Sequence, residues 1–262
     1  MAIISMDMNR STFIMFMTVM LLLPSCFVKE DRGGCPCWMT VEMPDRVGHD
    51  GSVVLRLRGN SDEDAMDYAF KMTETLNTEV GTLEYEVPRG SVGVSVVNSA
   101  RLAVPVGEQM DSLYGFFKPY HTRCESVKCD VELHKEFCTV SFTLVDKHYE
   151  SPYDIEVRGN VSGVSPWDLV PVSGAFKYAP VAEEGVYRVR IPRQVDASLE
   201  MVLLSNQEIV SRLPLGEYII RSGYDWAAKD LSDVSVALDL EKQQVMVTVS
   251  GWDGVVMMDI VI

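Results

Sequence analysis

Cysteine and histidine are the residues of this chain best equipped for chemistry, and 262 residues contain six of the first and four of the second. The cysteines are Cys26, Cys35, Cys37, Cys124, Cys129 and Cys138, and the histidines are His49, His121, His134 and His148. A zinc site usually draws on paired C-x2-C knuckles. The spacings here are C-x-C, C-x4-C and C-x8-C, so no metal is expected and zinc stands only as the sharp alternative to disulfides. Hydrolase, P-loop and dinucleotide fingerprints are all missing. Cys129 and His134 are near in sequence, but a nucleophile and its base also need an orienting group and a pocket. No catalytic residue is assigned, and the chain reads as a non-enzyme without a dissociable cofactor. The acidic groups Asp62-Glu63-Asp64 with Asp67, and Asp225, Asp230 and Asp233, lack the spacing and turn glycine of a calcium loop and read as solvated surface.

Charge narrows the partners. The formal net charge is −15, and no basic run offers the clustered Lys and Arg that neutralise phosphates, so nucleic acid is excluded as a partner. With 47% apolar and 23% charged residues, the chain has ordinary globular composition and can bury a core of normal size.

The first 25 residues read as a signal peptide. Phe13 to Leu23 is apolar apart from one Thr, follows Arg10 and ends at Pro24-Ser25-Cys26. That run is about half the roughly 20 residues a membrane-spanning helix needs, and its basic flank is that of a secretory h-region. Leu23-Pro24-Ser25-Cys26 resembles the bacterial lipobox, in which the cysteine is acylated and becomes the new N-terminus. The plain alternative is a secreted chain whose Cys26 enters a disulfide. Acyl chains bind membrane at about 0.8 kcal/mol per buried CH2, so a lipid on Cys26 would be a lasting tether and the chain's only covalent group. Lys29-Glu30-Asp31 resembles the signal that sends Bacteroidetes lipoproteins to the outer face of the outer membrane. Cleavage before Cys26 removes one acid, Asp7, and one base, Arg10, so the remainder keeps the whole −15. Anionic head groups cannot hold such a body; the lipid must.

Beyond Trp38 the pattern is short alternating runs: Val53 to Arg58, Ser91 to Val97, Thr139 to Val145, Val186 to Ile191, Val234 to Leu240 and Val245 to Val249. Alternation with Gly, Pro and Asp between runs predicts antiparallel strands with one buried face. Asp62 to Met72 and Tyr224 to Leu231 are the helix candidates. Four short matches recur in order: Leu57-Arg58-Gly59-Asn60 with Val157-Arg158-Gly159-Asn160, Glu86-Val87-Pro88-Arg89 with Arg190-Ile191-Pro192-Arg193, Val106-Gly107-Glu108 with Leu215-Gly216-Glu217, and, loosely, Val131-Glu132-Leu133 and Thr139-Val140-Ser141 with Val236-Ala237-Leu238 and Val247-Thr248-Val249. They predict two copies of one all-β sandwich. The expected division is signal peptide 1–25, lipidated linker 26–37, N-terminal sandwich 38–147 and C-terminal sandwich 148–262. Trp252 to Ile262 has no counterpart in the first copy. It is expected either to close the second sandwich or to pair with another chain through Val255, Val256, Met257, Met258, Ile260 and Ile262.

In an exported chain, disulfides are the default for Cys35, Cys37, Cys124, Cys129 and Cys138, which leaves one cysteine over. A bridge from Cys35 or Cys37 to the Cys124 to Cys138 region would close a loop of roughly 90 to 100 residues, which stabilises by about 4 kcal/mol.

Lipobox, charged linker, Cys35-Pro36-Cys37, two β domains, Leu215-Gly216-Glu217-Tyr218-Ile219 leading to Gly223-Tyr224-Asp225-Trp226, and Val249-Ser250-Gly251-Trp252 together resemble the FimB/Mfa2 family of Bacteroidetes fimbrial subunits. The resemblance covers almost the whole chain in order, and the cluster Cys124, Cys129 and Cys138 departs from it. It implies two tandem transthyretin-like β-sandwiches, a place on the cell outer membrane facing outward, and a non-catalytic role anchoring a pilus fibre and limiting its length. The partners implied are a fimbrial stalk subunit, joined by β-strand addition, and the membrane through the lipid. A stand-alone surface lipoprotein that binds a glycan or host ligand is the alternative. The tether is tested by Cys26→Ala: the variant is expected in the medium instead of the membrane fraction, and a lipid mass persisting on it would refute the assignment.

Overall fold

Strand propensity and alternation decide the architecture. In the first strand Cys37, Met39 and Val41 are fully buried while Trp38 between them is exposed, the period-two pattern of a sheet with one wet face. A computed structural model of the protein describes residues 35–44, 52–61, 70–77, 81–145, 153–250 and 255–259. The expected signal peptide over residues 1–25, the linker residue Cys26, and Ile260 and Ile262 lie outside the described residues.

Four sheets pair off into two sandwiches. In the first, β1 (Cys37–Glu42) lies between β4 (Thr82–Val87), antiparallel, and β7 (Ser126–Asp130), parallel. Its facing sheet runs β3 (Phe70–Asn77), β2 (Ser52–Ser61), β5 (Gly90–Val97), β6 (Tyr114–His121) and the two-residue β8 (His134–Lys135). Met39 and Val41 from one sheet and Leu55, Leu57, Val92, Val94 and Val96 from the other fill the core between them.

The second sandwich repeats this plan. Strand β9 (Phe137–Val145) lies between β13 (Val186–Pro192), antiparallel, and β16 (Val234–Asp239), parallel, just as β1 does. On the facing sheet β10 (Asp154–Val164) lies between β11 (Pro171–Tyr178) and β14 (Glu200–Ser205), with β15 (Glu208–Leu213) outermost, as β2 lies between β3 and β5 with β6 beyond. The additions are β12 (Ala182–Glu183) at one end of the six-stranded sheet, and β17 (Gln244–Val249) and β18 (Val255–Asp259) at the other. Two of the four sequence matches mark equivalent places: Leu57 to Asn60 and Val157 to Asn160 on β2 and β10, and Val87-Pro88 and Ile191-Pro192 at the ends of β4 and β13. Val106 to Glu108 and Leu215 to Glu217 do not correspond, since one precedes β6 and the other follows β15. Nor does the last match: Val131 to Leu133 follow β7 while Val236 to Leu238 lie within its counterpart β16, and Thr139 to Ser141 lie on β9, which opens the second copy, while Val247 to Val249 lie on the added β17.

The register moves the expected division at 147/148. Val140 pairs with Val189 and Val234, so Phe137 to Val145 belongs to the second sandwich, and the copies begin at Cys37 and Phe137. The alternation was read correctly; what sequence hid was which core its buried face enters. Cys138 therefore belongs to the second sandwich, apart from the other cysteines. The helix candidates also change. Phe70 to Met72 are strand, Asp62 to Ala69 lie outside the described residues, and Tyr224 to Leu231 is irregular, with Asp225 Oδ1 accepting the Ala227 amide (2.8 Å) in an Asx turn. The one described helix is α1 (Leu215–Arg221), which starts after Pro214, ends before Gly223 at φ +87°, and buries Leu215, Tyr218 and Ile219.

The sandwiches are locked together by the β5–β6 connection, residues 98–113. Its Leu102, Val104, Met110 and Leu113 are buried in the second core. Val104 donates its amide to Ser162 O (2.7 Å), Val164 donates to Leu102 O (2.9 Å), and Met110 to Arg190 O (2.9 Å). Gly163, at φ +154°, permits this approach: a Cβ there would lie 2.0 Å from Leu102 O. In return the Ser165 to Val170 turn packs on the first sandwich, where Ser95 Oγ donates to Pro166 O (3.0 Å) and the Arg58 guanidinium sits 5.8 Å from the Trp167 ring.

Two substitutions test these packing assignments. Phe142→Ala, emptying a fully buried site on β9, is expected to cost about 3–5 kcal/mol in urea unfolding. Gly163→Ala is expected to destabilise by more than the few tenths typical of surface changes and to speed amide exchange at Val104 and Val164, read by hydrogen-exchange mass spectrometry.

Candidate functional site

The C-terminal strand does close the second sandwich, and it does so as an edge. Val255, Val256, Met257 and Met258 are paired with Thr248, Val247, Met246 and Val245 of β17 without a register shift. Among the described residues nothing pairs with the outer side of β18. Met257 is 67% exposed. Edge strands are templates for another chain unless bulges, charges or proline blunt them. The edge strands of the four-stranded sheet carry such protection: β15 holds Glu208 and Arg212 and meets β14 through a register shift, and β11 holds Pro171 and Lys177 and meets β10 through two. At the far end of the six-stranded sheet, β12 is two residues long. Strand β18 keeps a regular register, and its only charged residue is the terminal Asp259.

Residues 134 to 136 carry the chain from the first sandwich into β9, and they are densely bonded to the loop after α1. Arg193 Nε donates to Glu136 Oε2 at 2.8 Å, with side chains only 14% and 10% exposed, and Arg193 Nη1 donates to the carbonyls of Trp226 and Ala228. The Lys135 amide donates to Asp230 Oδ1 (2.8 Å), and the Thr139 amide to Asp233 Oδ1 (2.8 Å). Burial pushes the Asp230 carboxyl up, but the Lys135 amide and His134 outweigh it and leave it below the usual range. A cleft of about 550 Å³ opens beside this crossing, lined by Lys118, Glu132, His134, Glu136, Arg193 and Lys229 among others. Asp225, Asp230 and Asp233, read from sequence as solvated, are thus structural in part: all three accept backbone amides. Sequence signalled nothing of Glu136 and Arg193, because their pairing spans 57 residues.

The cysteines separate into distinct settings. Cys129 sits in the first core with its thiol against the Tyr120 hydroxyl, and burial raises its pKa. Cys138 sits in the second core against the Tyr224 hydroxyl, and burial pushes its thiol up to about 12. His134 instead places Nδ1 3.2 Å from Asp230, so Cys129 and His134 do not form a nucleophile and base. Cys35 and Cys124 are exposed and Cys37 is buried. The Cys37 thiol donates to Trp38 O and the Cys124 thiol to Ser126 O (3.1 Å), and burial, with Cys124 nearby, raises the Cys37 pKa. Among the described residues no group of three or more His, Cys, Asp or Glu converges as metal ligands would.

No family model matches the chain, and no curated protein matches it in sequence. Solved structures do match in three dimensions. The fimbrial anchor protein Mfa2 from Porphyromonas gingivalis superposes with a TM-score of 0.56 at 8% identity, covering 83% of this chain and 98% of that one. The chain has the fold of that anchor. A candidate adhesin from Bacteroides ovatus gives 0.59 at 13% identity, covering 86% and 96%. A candidate polysaccharide-binding protein from Bacteroides thetaiotaomicron gives 0.61 at 15% identity, covering 85% and 98%. The two tandem β-sandwiches expected from sequence are present, joined by the crossing that Glu136 and Arg193 hold.

Removing one member of a buried ion pair strands the other. Arg193→Ala is expected to cost about 3 kcal/mol or more in urea unfolding, and Arg193→Lys, which keeps the charge but loses the planar fork, is expected to recover only part of it.

Proposed function

We propose that this chain is a cell-surface lipoprotein that anchors a fimbrial fibre on the outer membrane, with Cys26 holding the lipid and β18 receiving a strand of the first stalk subunit. The observation that carries the reading is the open edge of β18 on a fold shared with a fimbrial anchor. Main-chain hydrogen bonds along such an edge give affinity, and alternate side chains give selectivity. A structural role of this kind asks for no catalytic group, and the limit on fibre length follows if the edge accepts a single subunit. In polymer terms, an anchor that ends one strand-exchange chain is a terminator.

A second reading has its own observation. Trp38 is 50% exposed on the outer face of the three-stranded sheet, across from Glu86 on β4 and Ser126 on β7, which is a surface on which a sugar ring could stack. A glycan bound there would make the chain a surface lectin-like module, as the name of one structural neighbour suggests. Glycan-array binding abolished by Trp38→Ala would establish it.

For the anchor, deletion of 255–262 and the milder Met257→Lys are both expected to leave a folded, membrane-bound protein and to shed fibres into the medium. Circular dichroism checks the fold, and fibres still firmly attached to cells carrying either folded variant would sink the proposal.

A further inference from the structure

We infer that Cys37 and Cys124 form a disulfide that closes the entrance to the first sandwich, leaving Cys129 and Cys138 as buried thiols. Strands β1 and β7 run parallel with Trp38 opposite Ser126, and the Trp38 amide donates to Glu125 O at 2.9 Å. That pairing brings the first residue of β1 beside the residue two positions before β7. The Cys37 thiol donates to Trp38 O and the Cys124 thiol to Ser126 O (3.1 Å), the carbonyls of that register pair, so the two sulfurs are neighbours on adjacent strands. Of the other three candidates, Cys129 is held against Tyr120 in the same core and Cys138 against Tyr224 in the other, while Cys35 precedes β1 and lies outside the ladder that sets Cys37 beside β7. Of the pair, Cys124 is exposed and Cys37 buried, which sets the order of the chemistry.

The oxidant is a disulfide donor of the cell envelope, a thiol–disulfide oxidoreductase or a small disulfide, so the inference rests on the export proposed above only for where that donor is met. Cys124, as thiolate, attacks one sulfur of the donor disulfide; a mixed disulfide forms and one donor thiol leaves. Cys37, as thiolate, then attacks the Cys124 sulfur, and the second donor thiol leaves. Two protons and two electrons pass from the chain to the donor, which ends as a dithiol. Burial holds the Cys37 thiol protonated, so the second step is the slow one and waits on local opening at the start of β1.

Trypsin reads the result cleanly, because 33–46 carries Cys35 and Cys37, 124–128 carries only Cys124, 129–135 only Cys129 and 136–147 only Cys138. Protein is purified from its own envelope with thiols blocked by N-ethylmaleimide, digested without reductant and weighed by mass spectrometry. The expected species is 33–46 linked to 124–128, kept in Cys35→Ser and lost in Cys37→Ser, with Cys129 and Cys138 unlinked. Reduction is expected to lower Tm by roughly 10 °C. A link through Cys35, Cys129 or Cys138 in place of this one overturns the inference. If Cys124 is alkylated in the native sample, the same protein is reduced and reoxidised with glutathione: a 37–124 link then upholds the pairing and counts against the exported location, and no link overturns the pairing itself.

Discussion

The fold depends on how the chain leaves one sandwich and enters the next, and the Glu136–Arg193 ion pair governs that step. Arg193 follows β13 and Glu136 precedes β9, so one guanidinium fixes the start of the central strand of the second sandwich to the end of its antiparallel neighbour. The same guanidinium holds the carbonyls of Trp226 and Ala228, which anchors the irregular loop that returns the chain to β16. Buried charges tolerate no missing partner, so register, crossover and loop are set together. The β5–β6 connection completes the arrangement from the other side, since its apolar residues finish a core belonging to the next copy.

This mutual dependence explains what the amino-acid pattern revealed. Strands such as Ser91 to Val97 and Val245 to Val249 are legible because alternation is a local property of the chain. The duplication is legible at Arg58-Gly59 and Arg158-Gly159, where both copies place the same residues on a central strand. The boundary between copies is not, because Thr139 to Val145 alternates in the same way whether its buried face enters the first core or the second. Helix α1 was within reach of sequence reasoning through Pro214 and Gly223, whereas the Tyr224 to Leu231 segment has helical composition but spends its polar groups on turns, with Asp225 and Asp230 capturing amides.

The candidate site divides along the same line. The unmatched C-terminal segment could be picked out as extra, and its strand propensity pointed to an edge. That β18 is an edge without such protection became visible only beside β15 and β11, whose bulges and charges show what protection looks like on this molecule. For the cysteines, spacing in sequence carried no pairing information, and five thiols looked like one cluster. The strands distribute them between two cores and a margin, because Cys129 and Cys138 lie on β7 and β9, which belong to different sheets.

The position of β1 has a mechanical meaning. It is the first described strand, and it is central in its sheet, hydrogen-bonded to β4 on one side and β7 on the other. A pull on its N-terminal end runs along the strand axis and across the direction of its hydrogen bonds. Both ladders are therefore sheared as a set, and cannot be unzipped bond by bond. Survival under such a load is a matter of unfolding rate more than of equilibrium stability, and a strand gripped on both sides is the slowest way into a sandwich that is being dragged by its end.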